Sequence, residues 1–329
     1  MRPFKYTRAG SSQAAAQQVM ANEQARFLAG GTNLLDLMKE DVERPTELVD
    51  ITRLSFTPIK TISTGISIGA LGKNADTANH PIIRQQYPLL AQAILSGATA
   101  QIRNMATNGG NLNQRTRCAY FYDTAMPCNK RQPGSGCSAL EGVNRMHAIF
   151  GWSNHCVAVH PSDMCVALAA LDAVVKVQSA EGKERAIPFA DYHRLPGDTP
   201  HVDNTLKPGE LITAIEIPKN NFAVNSYYLK VRDRSSYAFA LVSVAAALEM
   251  QHNTIKNARI AMGGVAHKPW RAVEAEKLLA GKSATEENFM AAANKVMENA
   301  RPLEHNRFKV ALGKRTIVRA LQLAMHTKF

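Results

Sequence analysis

Residues 26–39 read Arg26-Phe27-Leu28-Ala29-Gly30-Gly31-Thr32-Asn33-Leu34-Leu35-Asp36-Leu37-Met38-Lys39. A short strand-like run stops at two glycines and gives way to an apolar pattern of helical period, which predicts strand, tight turn and helix in that order. The turn has no side chains at Gly30 and Gly31 and small hydrogen-bonding ones at Thr32 and Asn33. Backbone N–H groups at such a turn can approach a pyrophosphate closely. The run matches neither Gly-x-x-x-x-Gly-Lys-Ser/Thr nor Gly-x-Gly-x-x-Gly, so taken alone it reads first as a structural turn.

Outward from this turn, residues 4–6 read as a strand, 12–22 as an Ala/Gln-rich helix capped by Ser11 or Ser12, and 47–51 as a third strand, closing a unit over 1–55. From 56 to 222 the pattern is short strands at 58–62, 65–71, 156–159, 173–177 and 210–217. Helices at 89–96 and 164–171 interleave with them, the second opened by Pro161 with Ser162 and Asp163 in its first turn. Over 223–329 three strands at 226–231, 238–250 and 254–263 suggest an antiparallel sheet. Helices at 269–280, 284–300 and 314–325 follow them, so the chain is read as α+β.

Composition agrees with a globular protein of two or three domains. The chain has 329 residues, 45% of them apolar and 20% charged, which excludes wholesale disorder, collagen and coiled coil. The longest apolar stretch, 238–248, is far short of the about 20 residues of a membrane-spanning helix, so no span is expected. Near the N-terminus Arg2, Lys5 and Arg8 lead into Gly10, Ser11 and Ser12 with no apolar core, so a secretory signal is not expected here. The net charge of +12 suits a polyanion, a phosphate-bearing cofactor or an acidic protein surface. Basic residues concentrate at Arg103, Arg115, Arg117, Lys130, Arg131 and Arg145. They recur at Arg301, Arg307, Lys309, Lys314, Arg315, Arg319 and Lys328, read as a solvated helix face.

A second glycine cluster, Thr107-Asn108-Gly109-Gly110-Asn111-Leu112, repeats the chemistry of the first turn, and two such loops on one ligand are harder to dismiss than one. His160-Pro161-Ser162-Asp163 adds a helix N-terminus and a short carboxylate suited to a ribose or ribityl hydroxyl.

All five cysteines fall between Cys118 and Cys165. No Cys-x-x-Cys pair occurs, which argues against a zinc ribbon, a thioredoxin-type site and the bacterial ferredoxin run. Pro127, Pro133, Gly134, Gly136 and Gly142 make the segment an irregular loop able to wrap an inorganic core. Cys165 sits in an apolar helix and reads as a buried small hydrophobe. The four candidate metal ligands are therefore Cys118, Cys128, Cys137 and Cys156. Chemistry leaves an iron–sulfur cluster, zinc and unligated thiols open, with the nearby basic residues able to offset a cluster's negative charge.

FLAGGTNLLDLMK at 27–39, QIRNMATNGGNL at 101–112 and HPSDM at 160–164 resemble motifs of the FAD-binding medium subunit of molybdenum hydroxylases, the xanthine dehydrogenase family, and the resemblance covers nearly the whole chain. It implies the two-subdomain FAD-binding fold of the vanillyl-alcohol oxidase type, followed by a C-terminal α+β domain of the CO-dehydrogenase flavoprotein type. The cysteine insertion at 115–156 is similar to that of members with an extra 4Fe-4S cluster, most of all the FAD subunits of bacterial periplasmic aldehyde oxidoreductases.

By this resemblance Arg26, Phe27, Leu28 and Ala29 lead into a pyrophosphate loop of Gly30, Gly31, Thr32, Asn33 and Leu34. Asn108, Gly110 and Asn111 form a second phosphate and flavin loop, and Asp163 meets ribityl or ribose hydroxyls. Lys230 lies near the isoalloxazine, with Leu211 and Ile212 packed on the ring. Relatives often carry an acid where this chain has Tyr237, so the acceptor of NAD-using relatives is not carried over to this chain.

The function implied is electron transfer. The chain would bind FAD and one 4Fe-4S cluster in a heterotrimer with a molybdenum-cofactor large subunit and a 2Fe-2S small subunit. It would pass electrons from aldehyde oxidation on the partner to an external acceptor, in the periplasm, exported with a signal-bearing partner. No Ser/His/Asp triad or paired-carboxylate site is apparent, and no catalytic residue is assigned beyond Lys230 as a flavin-tuning cation. The alternatives are a stand-alone FAD-dependent oxidase and a zinc-stabilised basic nucleic-acid-binding protein. Only 6% aromatic residues and no recognisable module argue against nucleic acid.

Overall fold

The structure is a computed structural model that describes residues 1–56 and 58–326; Thr57 and residues 327–329, Lys328 of the basic series among them, lie outside the described residues. Three sheets follow one another along the chain.

The first is parallel, with β1 (Lys5–Arg8) and β2 (Ala25–Leu28) on either side of β3 (Glu47–Asp50). All four residues of β3 are buried, as the centre of a parallel sheet requires. The helix Ser12–Ala21 crosses from β1 to β2, and Ser11 caps it by accepting from the Ala14 amide.

The second sheet comprises β4 (Ile59–Ile62), β5 (Gly65–Gly69), β6 (Val174–Gln178), β7 (Glu184–Pro188) and β8 (Leu211–Pro218), in the order β4-β5-β8-β6-β7. Every pairing in it is antiparallel. Ile66, Ile68, Val175, Val177, Ile215 and Ile217 alternate onto a core shared with the helices Pro88–Ser96 and Asp163–Ala170.

The third sheet runs β12-β11-β10-β9, from β9 (Ser226–Val231), β10 (Val242–Gln251), β11 (Thr254–Gly263) and β12 (Trp270–Arg271). The helices Val273–Leu279, Glu286–Met297 and Phe308–His326 pack on it through Leu279, Phe289, Ile317 and Leu321. Strands and helices together give the expected α+β class.

Five local expectations change. Residues 156–159 are not a strand, because Cys156 makes only an isolated bridge to Ser153. Residues 238–241 precede β10 rather than open it, and Trp270-Arg271, expected as helix, pairs with Met262 and Ala261 as an edge strand. The last helix begins at Phe308, six residues before the expected start, and Lys309 on it is fully buried rather than solvated. Its Nζ instead donates to the carbonyls of His147 and Gly264.

Candidate functional site

The first turn leaves β2 at Leu28 and enters the helix Leu34–Lys39. Gly31 has φ +71, a conformation that favours glycine. Gly30 is required for another reason: a Cβ there would lie 2.1 Å from the Met105 carbonyl oxygen. The turn therefore rests against the end of the helix Ala100–Met105, which feeds the second glycine cluster. Sequence positions some 75 residues apart meet at this point.

That second cluster is a helical turn, Asn108–Leu112, rather than the loop expected. Thr107 caps it, its hydroxyl accepting from the Gly110 amide at 3.2 Å. Gly109 lies against Ala70, where a Cβ would come within 3.2 Å of the Ala70 Cβ. The third element joins the second directly, since Ser162 caps the helix Asp163–Ala170 through the Cys165 amide and donates its hydroxyl to Asn111.

These elements enclose a cleft of about 850 Å³. Residues 26–34 form one wall and Gly110 and Asn111 a second. Asp163, Leu211, Ile212 and Lys230 complete it. Arg26 turns its guanidinium back onto the carbonyls of Glu23 and Ala25. Asn33 uses its Oδ1 to accept from the Arg115 amide, while its buried Nδ2 has no partner. A buried amide without a partner loses its hydration uncompensated, so it is a donor suited to a bound acceptor.

Two site residues face differently from what their sequence suggests. Asn108 does not line the cleft; it is fully buried, donating to the Gly69 carbonyl and Thr77 and accepting from Asn74. It braces the second turn from behind. Asp163 lines the cleft with both oxygens already engaged, Oδ2 by Lys230 Nζ at 2.8 Å and Oδ1 by the Tyr228 hydroxyl at 2.6 Å. Tyr228 and its second partner Ser243 were not legible in sequence, because they are ordinary strand residues whose role exists only where β9 and β10 cross the helix at Asp163. Burial, with Asp163 adding to it, pushes the Tyr228 hydroxyl well above its usual range, so it serves as a donor.

Cys118, Cys128, Cys137 and Cys156 line one small cavity beside the cleft. Cys118 precedes the short helix Ala119–Tyr122, and Cys128 and Cys137 face each other in an isolated antiparallel bridge. No cysteine is in a disulfide, and Cys165 stands apart, fully buried in its helix as expected. Backbone amides surround the loop sulfurs: those of Phe121 and Tyr120 hydrogen-bond Cys118, and that of Ala158 approaches Cys156 at 3.5 Å. Burial pushes the Cys118 thiol up to about 11 and that of Cys156 to about 12, so a metal rather than solvent would have to ionise them.

The basic residues of this segment do not converge on the thiols as free charge. Arg115 pairs with Glu43 and Asp203, Lys130 with Asp203, Arg117 with Asp36 and Arg145 with Asp233. The excess is local in sequence only, because acids from distant segments meet it in space. Arg103 and Arg131 donate instead to backbone carbonyls.

Among the described residues, one trio holds its ligand atoms within 4.8 Å of one another, His160, Cys165 and His193. Both imidazoles of the trio face the Leu112 carbonyl at the end of the second glycine turn. No described helix is long and apolar enough to cross a membrane.

Residues 2–220 match the FAD binding domain in molybdopterin dehydrogenase, and residues 227–324 the CO dehydrogenase flavoprotein C-terminal domain. The aldehyde oxidoreductase FAD-binding subunit PaoB of Escherichia coli is 48% identical, over 98% of this chain and 98% of its own. The glyceraldehyde dehydrogenase medium chain of Sulfolobus acidocaldarius is 32% identical over 92% and 90%. Reconstituted CO dehydrogenase from Oligotropha carboxidovorans has the same fold, with a TM-score of 0.78 and 24% identity over the full length of both chains. A two-part match across most of the chain, on a fold whose cleft gathers both glycine turns, leaves one assignment: the chain belongs to the FAD-binding subunits of the molybdopterin dehydrogenase, or molybdenum hydroxylase, family of oxidoreductases.

Proposed function

We propose that this chain is the electron-transfer subunit of a heterotrimeric molybdenum-containing aldehyde oxidoreductase, carrying FAD in the large cleft and one 4Fe-4S cluster on Cys118, Cys128, Cys137 and Cys156. The observation that carries the reading is the convergence of the two glycine turns and the Ser162 helix on one cleft, next to four thiols on one small cavity. The cleft is of the size usual for an organic ligand.

Bound FAD supplies the exchange of electrons between the partner centres and an external acceptor. The chain's own part is to hold and tune it. Gly30, Gly31 and Thr32 offer backbone N–H groups to the pyrophosphate, and Asn33 Nδ2 offers a donor without a competing partner. Gly110 and Asn111 close the second side, while Leu211 and Ile212 present apolar wall to the ring. Lys230, held by Asp163 and the Ser96 carbonyl, places a cation at the wall where reduced flavin gathers negative charge. Asp163 fixes that lysine and reaches ribityl hydroxyls only as an additional acceptor.

The spacing of the thiols supports the cluster reading over zinc. Four sulfurs around one zinc lie about 3.8 Å apart, from Zn–S bonds of about 2.3 Å. Among the described residues, no group of three ligand atoms within 4.8 Å includes three of the loop thiols, a wider spacing that suits the larger cubane. The surrounding backbone amides suit bridging and terminal sulfur alike.

The partners proposed are a molybdenum-cofactor large subunit and a 2Fe-2S small subunit. The location proposed is the periplasm, reached in the company of a signal-bearing partner, and cell fractionation tests it. The central test is an absorption spectrum of anaerobically purified protein with iron and acid-labile sulfide assays. Flavin bands, a broad absorption that bleaches on reduction, and about four iron and four sulfide per chain are expected. A colourless protein with about one zinc would return the zinc-stabilised alternative. Flavin without iron, in a chain active alone, would favour the stand-alone oxidase.

A further inference from the structure

We propose that His147 is the positioning residue of the thiol centre, donating its Nε2–H to the Cys118 thiolate and thereby raising the potential of the cluster. The proposal rests on the reading of the four thiols as 4Fe-4S ligands.

His147 Nε2 lies 3.1 Å from Cys118 Sγ, within hydrogen-bond reach of sulfur. The ring is buried, 5% exposed, and its Nδ1 makes no well-formed hydrogen bond. A metal-bound thiolate has no proton to give and can only accept, so the contact survives metal binding only with the ring proton on Nε2. The approach is built into the fold. Lys309 Nζ donates to the His147 carbonyl at 2.9 Å and Asn306 Nδ2 to the same oxygen at 3.1 Å, both from the C-terminal segment. Asn306 also holds the Ala148 carbonyl, which leaves the backbone carrying the ring little freedom.

The position of Cys118 gives the contact a consequence. Of the four thiols, it alone lines a second cavity of about 160 Å³, whose other walls include His147, Ser162 and Asp163. Ser162 and Asp163 also line the large cleft. The thiolate that His147 meets is thus the one turned toward the flavin side. A hydrogen bond to a ligand sulfur stabilises the more negative, reduced cluster, so its removal lowers the potential.

The test is an EPR-monitored redox titration of the complete complex, with iron and flavin analysis, on the wild type, His147→Leu and His147→Gln. The expected result is a more negative cluster midpoint in His147→Leu with the flavin midpoint unmoved. His147→Gln, whose amide N–H reaches to a similar place, should return toward the wild type. Loss of iron but not FAD in His147→Leu, with both kept in His147→Gln, supports the same role through occupancy. An unchanged midpoint in His147→Leu, or the same change in both variants, overturns it. A wild-type complex that holds FAD but no iron fails the cluster reading itself, a result that iron analysis separates from failure of the His147 assignment.

Discussion

Lys230 and Asp163 form a buried ion pair at 2.8 Å, their side chains 4% and 8% exposed, and this pair ties β9 to the helix Asp163–Ala170 across the cleft wall. Lys230→Met would leave a carboxylate in low dielectric with only Tyr228 to answer it. Breaking a buried pair from one side costs about 3–5 kcal/mol. Chemical denaturation of Lys230→Met, Asp163→Asn and the double variant checks this, with the double variant expected to cost clearly less than the sum of the two. Strict additivity would show that the pair is not coupled.

Gly30→Ala should lose FAD. Its Cβ would meet the Met105 carbonyl at 2.1 Å, and backbone cannot swing aside as a side chain can, so the first glycine turn must separate from the second. Gly10, where a Cβ meets nothing within 4 Å, provides the control: Gly10→Ala should keep its flavin. Flavin absorbance after gel filtration, relative to protein, distinguishes the two.

Cys128→Ser and Cys165→Ala should behave oppositely toward iron. Cys128 lines the small cavity with the other three loop thiols, whereas Cys165 is packed in the core of its helix. Iron should fall with FAD retained in Cys128→Ser, while Cys165→Ala should keep both cofactors and lose only packing. Metal analysis beside the flavin spectrum gives the answer, and iron loss from Cys165→Ala would revise the ligand set.

Lys309 predicts a pH slope in stability. Burial, with Arg145 adding repulsion, pushes its ammonium down to about 7 from an ordinary 10.5. Between these values the unfolded chain holds a proton that the folded chain lacks, so stability should rise with pH across the window. Below about pH 7 both states are protonated and this contribution is flat. The slope reaches at most about 1.4 kcal/mol per pH unit. Urea denaturation from pH 7.5 to 9.5 should show it in the wild type, and Lys309→Met should flatten it while lowering stability throughout.

What was legible from the chain is what short-range chemistry controls. Ser11 caps the helix that follows it, and Ser162 marks the start of its own, because a hydroxyl next to a free amide needs no distant partner. Gly31 marks its turn for a similar reason, since a left-handed φ is a property of one residue. Strands β8, β9 and β11 fell close to their expected bounds because their alternation is read within one segment. Trp270-Arg271 was misread because a two-residue edge strand has no pattern of its own and exists only by pairing with β11.

The sequence by itself determined the α+β class, the two glycine turns, the helix at Asp163 and the set of clustered cysteines, all through local conformational preference and residue type. Tertiary structure alone decided which way the functional side chains face. Asn108 turns inward because the Gly69 carbonyl and Thr77 wait behind it, and Asp163 is claimed by Lys230 and Tyr228. The basic stretch around the cysteines is neutralised by Glu43, Asp203 and Asp36, and Lys309 is drawn inside by two carbonyls. Each of these depends on a partner far away in sequence, and a buried polar group takes its orientation from whichever partner can satisfy it.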